Sequence, residues 1–312
     1  MESVPQLGTE GMERTTRSRK SQSRYEPARF AGNSRAKSEQ LLPRVSSPDL
    51  ASKNATRIET RCYPLASYEL NRYTSSCTDK GEMMPGFAGF DRSDYPGDQV
   101  MNWLKANTNL AWCGYYLGPS PSHPGTTWMT RRAALVAAGW GIAPLYVGQQ
   151  ITGPGSQNPS SATGITDGNQ AASLMRSEGF APGFSVYLDL ENGPPLTQPL
   201  TDYVATWCDT VSAGGYHAGV YCSHLLALTV HTLRSTCRIW AFRVQTTQPH
   251  PVPKPFPDPN PSGCGYIGSY AWQLGQNCLI TVAPANLSTL DVDLNSALTP
   301  DPGAPEPPLV VT

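Results

Sequence analysis

A chain of 312 residues is long enough for two domains, yet a β/α barrel uses well over two hundred residues as one, so length forces no split. The 23 Lys and Arg nearly balance 24 Asp and Glu, but residues 1–80 hold 14 basic against 9 acidic side chains and the remainder hold 9 against 15. A basic tail thus precedes an acidic body.

Within the tail, residues 15–24 (TTRSRKSQSR) combine charge and serine without apolar periodicity, so they bury too little surface to offset the entropy of ordering them. Residues 1–80 are read as a disordered basic tail, with no aromatic or helical pattern that would aim its charges at nucleic acid. The opening stretch lacks the continuous apolar run of a secretory signal. The most apolar run, 133–147, is interrupted by Gly139, Gly141 and Pro144, so no membrane span is expected.

From Phe87 onward, strand-like runs alternate with helix-period segments, the pattern of βαβ units around a largely parallel sheet. FAGFDRS (87–93) precedes a helix over 98–107, AWCGYYLG (111–118) one over 130–138, and GIAPLYVG (141–148) one over 167–177. FSVYLDLE (184–191) leads into Leu200, Tyr203, Val204, Trp207 and Val211, whose spacing of three and four makes an apolar helical stripe that stops at Gly214-Gly215. HAGVYCS (217–223) is followed by a short helix near 225–233, and CRIWAFRV (237–244), SYAWQLG (269–275) and LDVDLN (290–295) read as strands without helices between them. Eight strands suit an α/β fold closed into a single TIM-like barrel, irregular in its last three strands and spanning 81–300, because closure removes exposed edges. An open doubly wound sheet is the competing arrangement. Seven prolines in 246–265 predict an extended loop, and 301–312 a Pro-rich tail. The chain is expected to act as a monomer.

Eight cysteines, an even and high count, lean towards an oxidising compartment. Cys264 with Cys278, flanking one strand, and Cys222 with Cys237, bracketing a short helix, are the pairs that close local loops; about 105 pairings are possible. No C-x-x-C spacing suggests a metal or redox site.

In β/α barrels the active site lies at the C-terminal ends of the strands, and carboxylates fall there. Asp91 closes the first strand. On the fourth, Tyr187, Asp189 and Glu191 share one face by the two-residue period, and Val186, Leu188 and Leu190 share the other. The inward face then holds a phenol and two acids, which is costly unless they are hydrogen-bonded, hydrated or needed. Asp291 and Asp293 repeat the pattern on the eighth strand. Two acids flanking a sugar are what glycoside hydrolysis needs, one to protonate the leaving oxygen and one to stabilise or attack the cationic centre. Glu191, nearest the mouth, is the expected acid and Asp189 its partner. Tyr115 and Tyr116, Tyr146, Tyr187, Tyr221, Trp240 and Trp272-Gln273 are expected around them, flat rings with polar edges that suit sugar faces.

Gly89-Phe90-Asp91, Tyr187-Leu188-Asp189-Leu190-Glu191, Gly219-Val220-Tyr221-Cys222-Ser223, Ile239-Trp240, Ala271-Trp272-Gln273 and Asp291-Val292-Asp293 resemble, in that order, a glycoside-hydrolase-like domain family of bacterial cell-wall-associated proteins, itself similar to the Chalaropsis-type lysozymes. The resemblance covers residues 86 to about 297. It implies an irregular barrel of five β/α units and three further strands, cleavage of a peptidoglycan-type polysaccharide, Glu191 as proton donor with supporting roles for Asp91, Asp189 and Asp293, and an extracellular or cell-wall-associated location.

Two rivals remain open on sequence. The same acids and rings would serve a non-catalytic glycan-binding barrel, and strand-end carboxylates could hold a hard cation in a phosphodiester-cleaving barrel. The five histidines form no H-E-x-x-H, Ser223 is not in a G-x-S-x-G, and no P-loop or G-x-G-x-x-G is present, so neither a metal nor a cofactor is expected.

Overall fold

The computed structural model describes residues 84–244, 246–283 and 289–306; the basic tail expected over 1–80 lies outside them. Five β/α units come first: β1 (Phe87–Asp91) and α1 (Asp98–Asn107), β2 (Trp112–Tyr116) and α2 (Arg132–Ala137), β3 (Gly141–Val147) and α3 (Ser161–Ser177), β4 (Ser185–Leu190) and α4 (Gln198–Ala213), β5 (His217–Ser223) and α5 (Ala227–Leu233). β6 (Arg238–Phe242), a two-residue β7 (His250–Pro251), β8 (Ser269–Thr281) and β9 (Thr289–Ala297) follow without an intervening α-helix. β1 to β6 pair in sequence order, β6 pairs with β8 in parallel, and antiparallel β8–β9 and β9–β1 pairings close the ring. The result is a closed eight-stranded α/β barrel, as the count of strands and helices predicts. Among the described residues no helix is long and apolar enough to cross a membrane.

Side-chain alternation divides the core in two. Val186, Leu188 and Leu190 point outward to the helices, with the Leu200, Tyr203, Val204, Trp207 and Val211 stripe of α4 buried against the same layer. Trp112, Ala143, Leu145, Tyr187, Trp240, Ala271 and Ala297 fill the lumen. There Trp112 meets Trp240 edge-on at 5.2 Å, and Tyr187 meets Trp240 at 5.5 Å. The floor under the mouth is therefore aromatic and fully packed. Gly89 makes room for it, since a Cβ there would lie 2.2 Å from the Trp112 ring.

Two elements depart from their predicted bounds by more than two residues. α3 begins at Ser161, because Ser160 and Thr163 form a reciprocal capping box ahead of any apolar period. Strand β8 runs on to Thr281 through register shifts at Gly275 and Cys278, and Asn277 adopts a left-handed φ of 54°. Beyond these bulges β8 and β9 pair with each other as a ribbon that rises past the ring.

Residues 301–306, expected to trail away with the Pro-rich tail, instead dock across the N-terminal end of the barrel. Asp301 Oδ1 accepts from the Ile142 N–H at 2.9 Å, the Ser185 N–H donates to Gly303 O at 2.7 Å, and Tyr187 Oη donates to Pro302 O at 2.9 Å. Arg238, buried, donates through Nη1 to Pro302 O and Ala304 O at 3.0 and 2.8 Å. The strand starts and this guanidinium need acceptors, and the segment supplies them. Ending the chain after Pro300 is expected to cost at least about 3 kcal/mol, because it strands a buried charge; a fall in the urea midpoint at unchanged m checks this.

The local cysteine pairs are not formed. Cys222, Cys237, Cys264 and Cys278 are all free thiols. Cys264 Sγ is engaged instead by Ser269 Oγ at 3.3 Å, and Cys278 Sγ faces His250 Nε2 at 3.7 Å.

Candidate active site

The parallel strands end at one mouth, and four acidic residues gather there: Asp91 from β1, Asp189 from β4, Glu191 just beyond β4, and Asp293 from β9. With Tyr116, Leu145, Tyr221 and Trp240 they line one cleft. Across the β1–β9 pairing Asp91 and Asp293 are direct partners, and across β4–β5 Asp189 and Tyr221 are. Closure of the barrel thus joins residues about two hundred positions apart.

Asp91 and Asp189 are buried, Asp293 is half-buried, and Glu191 is exposed at the lip. Asp91 accepts from Tyr116 Oη and Asn295 Nδ2, each at 2.8 Å, and Asn295 Oδ1 accepts from Trp240 Nε1 at 3.0 Å. Asp293 accepts from Gln273 Nε2 at 2.7 Å and from the Asn277 N–H at 2.8 Å. The β8 bulge is what aims that backbone donor. Tyr221 Oη donates to Gln273 Oε1, which ties the fifth strand into the same network. Asp189 differs: its Oδ1 is buried with no hydrogen-bond partner among the described residues.

Burial dominates the electrostatics. Desolvation raises the Asp91 carboxyl to about 6 against its hydrogen bonds from Asn295 and Tyr116. It raises Asp293 to about 8, helped by the charge of Asp91. Asp189 is pushed well above the usual carboxylate range by desolvation and then by Glu191 and Asp91. Among the described residues no Lys or Arg lines the cleft to offset this. Near neutral pH Asp293 therefore holds its proton while Asp91 is mostly ionised, and Asp189 is shifted in the same upward direction.

This predicts a pH dependence of stability. Folded Asp189 holds its proton more tightly than the unfolded chain does near 3.8. Its contribution is complete below about pH 4 and is lost as pH rises through the folded value. Asp189→Asn, which stays neutral, is expected to melt higher than wild type at pH 8 and equally at pH 4. An equal shift at both pH values in paired thermal melts would refute this account.

The remaining sequence candidates divide by the parity of their strands. Tyr221 and Trp240 line the cleft, and Gln273 is buried beneath it. Tyr115 does not reach it: it faces the helices, donates to the Glu178 carboxylate and packs on Trp128 and Phe180. Tyr146 likewise points outward, donating to Gln170 Oε1 at 2.6 Å beside Trp207. Trp272 faces the 3-10 turn Pro261–Cys264, with Nε1 on Arg243 O at 3.1 Å. Tyr187 is inside the barrel but at its far end, bonded to Pro302. On the second strand it is Tyr116, sharing the parity of Trp112, that reaches the cleft. Asn295 and Leu145 were not singled out on sequence. Asn295 continues the two-residue period of Asp291 and Asp293, the one signal that pointed to it.

Residues 102–260 match the model of the Rv2525c-like, glycoside hydrolase-like domain. No curated protein matches the chain in sequence. Among solved structures, an uncharacterized B. stearothermophilus protein is similar at 18% identity, covering 68% of this chain and 96% of its own, with TM-score 0.48. The Clostridium perfringens spore cortex lytic enzyme SleM is similar at 11% identity, covering 68% and 67%, with TM-score 0.47. The Mycobacterium tuberculosis Tat-secreted protein Rv2525c in complex with HEPES is similar at 14% identity, covering 70% and 98%, with TM-score 0.45.

Proposed function

Because the chain belongs to the Rv2525c-like, glycoside hydrolase-like domain family, we propose that it hydrolyses glycosidic bonds in a cell-wall, peptidoglycan-type polysaccharide by carboxylate acid/base catalysis. The observation that carries this reading is the set of four acids at the strand ends in one cleft, where burial raises Asp91, Asp189 and Asp293 to different degrees. Acid/base chemistry requires such a separation of roles.

Glu191 is the proton donor to the leaving oxygen, since it is the acid at the solvent edge where a polymer chain passes. Asp91 is the carboxylate that faces the developing cation, because its value of about 6 leaves it mostly charged at neutral pH. Asp189, given the stabilising role on sequence, is shifted by burial towards its neutral form and suits hydrogen bonding to a sugar hydroxyl, which would also engage its buried Oδ1. Asp293 and Gln273 hold the wall of the cleft, Trp240 packs the floor beneath it, and the half-buried Tyr116 and Tyr221 offer ring surface to the sugar. Such a substrate would place the protein's work outside the cytoplasmic membrane.

The test is release of reducing ends from purified peptidoglycan and from chitin-type oligomers, with and without chelator. Release that persists in chelator is expected. Glycan binding with no release from any substrate would replace this reading with a non-catalytic binding barrel, and loss of release on chelation would point to metal chemistry instead.

A further inference from the structure

Away from the cleft, two thiols meet in the outer layer. Cys208 lies on α4 and Cys237 directly precedes β6; both are buried, and their Sγ atoms stand 3.3 Å apart. This is the only sulfur–sulfur hydrogen bond among the described residues. The two segments are also held together by something other than the thiols. Arg234 grips Asp209, the neighbour of Cys208, with Nε and Nη2 each 2.6 Å from a carboxylate oxygen. The Cys237 N–H in turn donates to Arg234 O at 3.0 Å. An exposed ion pair contributes little stability by itself, but this one, bidentate, fixes how α4 meets the turn before β6.

The geometry points to an intramolecular disulfide between Cys208 and Cys237. A disulfide has its sulfurs about 2.05 Å apart, so the pair must close by a little over 1 Å, a displacement of the size that side-chain rotation supplies. The co-reactant is a small disulfide carrier of the oxidised-glutathione class. One cysteine thiolate attacks the carrier's S–S bond and releases one carrier thiolate. The second cysteine then attacks the mixed disulfide and releases the other, and the two cysteine protons pass to the released thiolates. The products are one protein disulfide and two reduced carrier thiols.

When the bond forms follows from the surroundings. The hydrogen bond to Cys237 and burial hold the Cys208 thiol well above its usual range, with Arg234 pulling the other way. Thiolate is therefore scarce in the folded protein, and the exchange belongs to the folding chain. The bond closes a loop that contains β5 and α5. It lies towards the barrel end opposite the cleft, so it acts on stability rather than on the acids.

The experiment is refolding of the full reduced chain in a glutathione redox buffer, then alkylation, peptide mapping without reduction and thermal melting. The expected result is a peptide pair joining Cys208 to Cys237, resistance of both to alkylation, and a Tm that drops by roughly 5–10 °C on reduction. The doubly substituted chain, Cys208→Ser with Cys237→Ser, should melt near the reduced wild type. Recovery of both cysteines as alkylated thiols in the oxidised, folded protein overturns the proposal, as does recovery of either joined to a different cysteine. Thiol mapping needs no substrate, so a failure of the glycosidase reading leaves this result standing.

Discussion

Glu191→Gln is expected to lower kcat/KM on the cleaved glycan by roughly 10²–10⁴-fold, the usual contribution of a positioned general acid. The amide keeps the shape of the lip and removes the transferable proton. The loss should therefore fall on kcat, with glycan affinity little changed. A second signature separates catalysis from packing. Glu191 is exposed, so the variant should melt close to wild type. If the variant keeps wild-type turnover, the proton comes from elsewhere, and Asp189 or Asp293, both shifted towards the protonated form, becomes the next candidate. If the variant loses binding and turnover together, Glu191 is a ligand-gripping residue instead.

Trp112→Ala is expected to destabilise the fold by about 3–5 kcal/mol, the range for emptying a large aromatic site in a packed core. For a domain of this size that lowers Tm by on the order of 10 °C. Trp112 is fully buried in the lumen, donates from Nε1 to Phe87 O at 2.8 Å, and abuts both Gly89 and Trp240. The damage should also reach the chemistry. Trp240 holds Asn295, and Asn295 holds Asp91, so a loosened floor lets the Asp91 carboxylate move. Folded Trp112→Ala protein is therefore expected to show reduced kcat with its pH profile displaced. Trp272→Ala is the control, because that ring faces away from the lumen. It should leave the profile where it was, and equal kinetic damage from the two variants would show that the lumen layer does not support the acids.

The architecture was legible because its signals are periodic and local. The stripe of α4 and the two-face pattern of Val186 to Glu191 state which side of each element is buried, and the structure follows them residue for residue. Parity was less legible on strands buried on both faces, where both alternating sets are apolar or aromatic. Tyr115 and Tyr116 read alike in sequence, and only the pairing of β2 with its neighbours sends one to the helices and the other to Asp91. Trp272 went astray for the same reason. Three contacts were beyond reach of any local pattern: Asn295 on Asp91 across the ring closure, the Asn277 N–H on Asp293 through the β8 bulge, and the Pro302 carbonyl on Arg238 from the docked segment. The capping box of α3 was present as Ser160 and Thr163 but uses a threonine where glutamate or glutamine is the stronger cue.

The docked segment has a practical consequence. Asp301 to Ala304 bond to the starts of β3, β4 and β6, and Glu306 approaches Arg238 Nη2 at 3.8 Å. A tether attached just past this segment therefore leaves from the pole opposite the acids. Protein immobilised on a bead through that point would present its mouth outward, free to engage an insoluble sacculus, whereas linkage through the β8–β9 ribbon would turn the mouth towards the support.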